Sequence, residues 1–298
     1  MKLKKIVITG ALGQDGILLS KILCKKNYLV YGIINKNFKN KKNNIKYSRI
    51  NLLNYSKLSH FLDKIKPSCL VHLGDKNPSF LETKKNFYSD NLKITKNLID
   101  YFSKKKLESK LILIGSSQMY GNKKKITINS GFKPENYYAK FRLKSYNYML
   151  KKKKMHKLNM VMAILFNHDS VFRNSKFLLP RLVNDLNKKN FDKINTIYQE
   201  NISGDFSHAE DICIGLYKLI ISKENPDKLI FSSNKKTYIN DIIKFLLKKY
   251  IFKKKFFLLK KKNKITPIGD NTFTKKLLNW NIKKNIFIAA NELKKIKS

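Results

Sequence analysis

Along the first half of the chain, short apolar runs alternate with amphipathic stretches, and this alternation predicts the architecture. The runs lie near Ile6, Val7 and Ile8 and at residues 29–34, 69–73, 111–114 and 160–166. Each has the length of a buried strand and ends in a polar break. Between them, residues 56–65 and 91–102 read as helices with one apolar face, and residues 17–26 and 138–150 as helix-like. Strands alternating with helices in this way form a parallel sheet covered on both faces, so the predicted class is α/β, a doubly wound parallel sheet. Beyond about residue 167 the pattern loosens into Asn- and Ser-containing loops, with helices predicted at 178–187 and 211–221 and a short strand at 229–232. This reads as a smaller C-terminal lobe, residues 167–298, interleaved with a first domain of residues 1–166.

Composition changes the picture mainly by what it excludes. The chain has 298 residues and a formal net charge of +44. Such a charge suggests nucleic acid or an anionic membrane surface as partner. The basic residues are nearly all lysine, however, with only Arg49, Arg142, Arg173 and Arg181 as arginines. Arginine is the residue that specific phosphate recognition favours. Lysine spread evenly, together with abundant Asn and Ile, is also what AT-rich codon drift produces, and the chain shows no aromatic-basic motif. Nucleic acid is therefore not the expected partner. The runs at Lys123–Lys125, Lys151–Lys154, Lys253–Lys255 and Lys260–Lys262 read as solvated surface at element ends or loops. Cys24, Cys69 and Cys213 are far apart and odd in number, which offers no disulfide framework and suits a reducing cytoplasm. The first strand begins too early for a signal peptide, and no apolar run approaches the ~20 residues of a membrane span. No His, Cys and Asp cluster has metal-ligand spacing, so no metal is expected.

The candidate chemistry starts at the first strand. Its apolar run breaks into Thr9-Gly10-Ala11-Leu12-Gly13-Gln14-Asp15-Gly16 and then into a helix. Glycines three apart between a strand and a helix make a tight turn, let backbone approach a pyrophosphate and aim helix N–H groups at it. A Rossmann-type dinucleotide site is predicted, because strand, turn and helix are all present. After the run at 111–114 comes Gly115-Ser116-Ser117-Gln118-Met119-Tyr120-Gly121, and later Asn136-Tyr137-Tyr138-Ala139-Lys140-Phe141-Arg142.

These motifs together resemble the extended short-chain dehydrogenase/reductase family, the NAD-dependent epimerases and dehydratases of nucleotide-sugars. Within it the chain is similar to the GDP-mannose 4,6-dehydratases: Gln14-Asp15 follows the second glycine, and Leu165-Phe166-Asn167-His168-Asp169-Ser170 and Asp205-Phe206-Ser207-His208-Ala209-Glu210-Asp211 match segments of that group. The resemblance implies a cytoplasmic homo-oligomer that binds NADP, with NAD the lesser alternative, and a nucleotide-sugar, GDP-mannose or a close relative. It implies that Tyr138 takes the proton of the sugar C4 hydroxyl, that Ser116 orients this hydroxyl, and that a cation one helical turn after Tyr138 assists. In the dehydratases a Glu then removes the C5 proton, water leaves from C6, and hydride returns there.

Two departures touch this chemistry. Gln118 occupies the position of the Glu, and a neutral amide is no base. Arg142 occupies the position of the family Lys, keeping the charge on the same helix face with a different geometry. A third departure is Gly204, where the family usually carries an Arg that contacts the nucleotide-sugar. The remaining cofactor shell implied by the resemblance is Asn35 and Lys36 after the second strand, favouring a 2′-phosphate, Asn51 and Leu52 beside the adenine, Leu73 to Asn77 after the fourth strand, near where the cofactor should pass, and His168 and Arg173. The rivals to a dehydratase are a 4-keto-sugar reductase or C4 epimerase, and a catalytically silent protein that binds NADP or a nucleotide-sugar.

Overall fold

A computed structural model describes residues 4–36, 38, 45–75, 85–247 and 263–297. The lysine runs at 253–255 and 260–262 lie outside the described residues.

The strands are β1 (Lys5–Thr9), β2 (Leu29–Ile34), β3 (Ile45–Arg49), β4 (Cys69–His72), β5 (Lys110–Ser116), β6 (Lys125–Ile126), β7 (Met160–Leu165), β8 (Asn167–Asp169), β9 (Ser203–His208), β10 (Lys228–Phe231), β11 (Lys236–Tyr238) and β12 (Ile268–Gly269). The helices are α1 (Gln14–Lys25), α2 (Tyr55–Ile65), α3 (Lys85–Lys104), α4 (Tyr137–His156), α5 (Leu178–Asn187), α6 (Phe191–Gln199), α7 (Ala209–Ile221), α8 (Ile239–Leu247), α9 (Thr272–Leu278) and α10 (Ile286–Lys297).

Seven strands form one parallel sheet in the order β10-β7-β5-β4-β1-β2-β3. The order reverses between β1 and β4, and in a doubly wound sheet the crevice at that reversal receives the ligand. Strands β4 and β7 are buried at every residue, as a sheet covered on both faces requires. One face packs on α2, α3 and α4 through residues such as Leu58, Phe102 and Met149; the other packs on α1 and α7 through Leu19, Leu23, Ile212 and Leu216, with Trp280 sealing the end. A third core joins α5, α6, α8 and α10 in the C-terminal part. Strand β10 from that part pairs with β7, so the later sequence completes the earlier sheet.

The strong apolar runs all became sheet strands. Strand β3 carried no such signal, because its sequence Ile-Lys-Tyr-Ser-Arg sits at the sheet edge, half exposed. One surface expectation is corrected: Lys151–Lys154 lies within α4, and Lys153 is buried, its ammonium donating to the Asn225 carbonyl at 2.8 Å and pairing with Asp227 at 3.0 Å. The periodicity of α4 is faint because lysines occupy even partly buried positions.

Candidate active site

A cavity of about 660 Å³ opens at the carboxyl ends of β1, β4, β5 and β7. It brings together Gly10, Gly13, Gln14, Asp15, Gly16, Leu73, Ser116, Gln118, Tyr138, Arg142, His168 and Arg173, residues from five separate segments of the chain. Four other expected residues do not line it. Asn35 and Lys36 are exposed just beyond β2. The Asn51 amide oxygen accepts from the Leu53 N–H at 3.0 Å in a local turn, and Leu52 is packed into the core beneath α2.

The glycine wall is built for an anion. Gly10 adopts φ +67, and a Cβ there would lie 2.5 Å from the Leu73 carbonyl oxygen, so the turn can hug the end of β4 only with glycine. A Cβ at Gly16 would lie 2.4 Å from the Gly10 carbonyl oxygen, which lets α1 begin directly against the turn. A Cβ at Gly13 would meet only that same oxygen, at 3.2 Å, so this glycine leaves room toward the cavity. Helix α1 then starts with no side-chain cap, leaving its first N–H groups and dipole available to a phosphate. These features fit a dinucleotide pyrophosphate.

Asp15 in that first turn would repel a phosphate if left alone. Both of its carboxylate oxygens lie 3.1 Å from His168 Nε2, while His168 Nδ1 lies 2.6 Å from the Phe166 carbonyl oxygen. A carbonyl only accepts, so both ring nitrogens donate and the imidazole is a cation. Burial works against both charges, but the pairing wins: His168 is raised above its ordinary value by Asp15, and Asp15 falls to about 2 under His168 and Arg173. Gln14 ties the pair to β8, donating to the His168 carbonyl at 3.3 Å and accepting from the Ser170 hydroxyl at 3.1 Å. Arg173 pairs with Asp169 at 3.1 Å and stacks over Phe177.

The opposite, tyrosine wall comes from the end of β5 and the start of α4. Asn136 caps α4 by accepting from the Ala139 N–H at 2.8 Å, and its own amide donates to Gln118 Oε1 at 3.1 Å. One side chain thus fixes both the helix start and Gln118. Ser116 likewise caps the short turn 117–120 by accepting from the Gln118 N–H at 3.3 Å. One turn into α4, Arg142 Nη2 donates to the Tyr138 hydroxyl at 3.3 Å, and Nη1 donates to the Ile114 carbonyl at 2.6 Å and to Asp75. Tyr88 from α3 stands beside Tyr137, Tyr138 and Phe141 at the same wall.

Asp75 lies in the stretch 73–77 expected near the cofactor, of which residues 76 and 77 lie outside the described residues, though the sequence assigned it no role; Tyr88 is a cavity residue with no signal in the sequence. Glu135, an acid in the loop before Tyr138, is exposed, accepts from the Asn122 amide at 2.9 Å and does not line the cavity. Among the described residues the acidic groups at the cavity are Asp15 and Asp75, both already paired with cations. Gly204 is filled from elsewhere: the Thr266 hydroxyl oxygen stands 1.7 Å from where its Cβ would be. Burial pushes the Cys69 thiol to about 12 and raises that of Cys213 as well, so neither is a thiolate nucleophile. No described lysine lines the cavity, whereas two of the four arginines do. Among the described residues no helix is long and apolar enough to cross a membrane.

Comparison with known proteins gives four findings. The model of the NAD dependent epimerase/dehydratase family matches residues 6–231. GDP-mannose 4,6 dehydratase 2 of Caenorhabditis elegans is 23% identical over 266 residues, covering 80% of this chain and 68% of the relative. In fold, the chain is similar to UDP-glucuronic acid 4-epimerase from Bacillus cereus in complex with NAD, with TM-score 0.80, 19% identity and coverage of 99% of this chain and 100% of that one. It is also similar to dTDP-glucose 4,6-dehydratase from Bacillus anthracis in complex with NAD, with TM-score 0.81, 13% identity and coverage of 98% and 96%.

Proposed function

Since the chain belongs to the NAD-dependent epimerase/dehydratase family, we propose that it is a nucleotide-sugar oxidoreductase working at the sugar C4 position, as a 4-keto-sugar reductase or C4 epimerase. The observation that carries this reading is the tyrosine wall. Tyr138 is held by Arg142 in the cavity, while Gln118, an amide, faces the same space. A bound nicotinamide dinucleotide supplies hydride acceptance and donation. The chain's own residues do the remaining work. The Tyr138 hydroxyl exchanges a proton with the C4 oxygen, Ser116 orients that oxygen, and Arg142 keeps a positive charge beside the phenol. The glycine turn and the α1 N-terminus hold the pyrophosphate, with Asp15 neutralised by His168. Asn35 and Lys36 after β2 are not acidic, which supports NADP, since no carboxylate there repels a 2′-phosphate.

A second reading, complete 4,6-dehydration of GDP-mannose, is favoured by the sequence relatives named for that activity. It needs a base for the C5 proton, and general acid-base help of this kind is worth roughly 10²–10⁴ in rate. The described cavity acids are committed to ion pairs, which favours the first reading.

The test is incubation with NADP and GDP-mannose in deuterated water, with a parallel reaction on the 4-keto-6-deoxy nucleotide-sugar plus NADPH, read by mass spectrometry and proton NMR. The expected result is reduction of the keto-sugar, or C4 inversion of the hexose, with no water lost. Loss of water with deuterium at C5 establishes the dehydratase instead. Tight cofactor binding with neither reaction leaves a silent binding protein.

A further inference from the structure

We propose that Asp75 is a positioning residue for the Tyr138–Arg142 couple, and that the carboxylate and guanidinium work as one unit where a lysine would work alone. This rests on the C4 redox reading above. A guanidinium does not lose its proton in a protein and cannot escape burial by becoming neutral. Arg142 is only 6% exposed, so its charge must be balanced within the wall. Asp75 is the group that balances it. The Asp75 side chain is 3% exposed and accepts from Arg142 Nη1 through one oxygen and from His72 Nε2 at 3.0 Å through the other. Burial alone would raise this carboxyl; Arg142 and His72 outweigh burial and hold it below the ordinary carboxylate range.

Behind Asp75 the bonding continues into the sheet. His72 Nδ1 lies 2.7 Å from the Thr9 hydroxyl, which accepts from the Gly74 N–H at 3.0 Å. If Thr9 donates to Nδ1 and Nε2–H donates to Asp75, every group in the row is satisfied. Residues from β1, β4 and the turn after β4 therefore fix one carboxylate oxygen, and the other oxygen of the same carboxylate fixes the guanidinium. With Nη1 shared between Asp75 and the Ile114 carbonyl, Nη2 is left for the Tyr138 hydroxyl. An ammonium is a point charge on a flexible stem and cannot span all three acceptors in one plane.

The consequence is a sign reversal between two backgrounds. Asp75→Ala or Asp75→Asn should lower kcat roughly 10²-fold, the scale of a small misplacement at a reacting group, with KM and cofactor affinity within about threefold. Arg142→Lys should also be slow, because its ammonium is drawn onto Asp75. In the Arg142→Lys background, however, Asp75→Ala should raise kcat, since removing the carboxylate frees the ammonium for the phenol. A merely structural Asp75 would lower kcat in both backgrounds by a similar factor, and that outcome overturns the proposal.

The same proteins without substrate or cofactor, labelled with tyrosine ¹³Cζ and with the Tyr138 resonance assigned by Tyr138→Phe, give a second readout. That resonance is expected to move on Asp75→Asn and on Arg142→Lys. If it moves while the unaltered protein turns over no sugar, the C4 reading fails and the positioning role stands. If it is indifferent to Asp75 in a folded protein, the positioning role fails whatever the turnover.

Discussion

The glycine wall and the tyrosine wall face each other across one cavity, yet they are different kinds of construction. On the glycine wall the requirements are steric and backbone-borne: Gly10 and Gly16 are demanded by carbonyl oxygens 2.5 and 2.4 Å from any added Cβ. On the tyrosine wall they are borne by side chains, and one charged pair can stand in for another group. A wall set by backbone contact keeps its sequence pattern, while a wall set by side chains can be rebuilt by compensating changes. The departures Gln118 and Arg142 both lie on the second wall.

The largest test of that contrast is Tyr138→Phe, which removes the oxygen proposed to exchange the proton and keeps the ring. Turnover should fall roughly 10²–10⁴-fold, with cofactor affinity and melting temperature unchanged within error; a loss of cofactor affinity would break the division between the walls. Next is Gly10→Ala, where a strained left-handed residue and a backbone collision together should cost at least ~2 kcal/mol. It should weaken binding of the reduced nicotinamide dinucleotide by more than about tenfold, as read by titration of its dihydronicotinamide fluorescence.

Gln118→Glu sharpens the comparison by gain. Asn136 can donate to a carboxylate as it does to the amide, so the variant should fold and release water from GDP-mannose where the unaltered chain does not, at a rate below that of an evolved base. No change in water release would mean that the C5 proton lies out of reach of this position. The smallest effect is in pH. His168 lies above its ordinary value because Asp15 outweighs burial, so its stabilisation is complete below about pH 6.5 and fades as pH rises through the raised value. Asp15, lowered to about 2, contributes above its ordinary range near 4 and loses that contribution as pH falls toward 2. The melting-temperature gap between the unaltered chain and His168→Gln should therefore be widest between about pH 4 and 6.5 and narrow as pH rises through the raised His168 value.

Much of this was legible in the sequence, for physical reasons that differ by element. Buried parallel strands must be apolar on both faces, so β1, β4, β5 and β7 stood out as runs. The glycine turn was legible because its spacing and its flanking elements are parts of one geometric demand. The edge strand β3 and the lysine-bearing helix α4 were harder, since neither needs a regular apolar stripe. Asp75 was half legible. Its place after β4 put it near the cofactor, but its role carries no signal until the partner it meets 67 residues later, Arg142, is seen to be buried beside it. Leu52 is placed beside the adenine by its position in the motif, and the structure adds that its side chain is held in the core.

The absence of described lysines from the cavity, in a chain carrying +44, has a kinetic side. Charge spread over the outside draws a polyanionic nucleotide from solution, and that attraction is screened by salt over a Debye length of about 8–10 Å. Once inside, the ligand meets helix N–H groups and balanced ion pairs that salt reaches poorly. Capture and retention are thus assigned to different parts of the molecule: raising ionic strength should slow the arrival of a nucleotide while leaving its departure nearly unaltered.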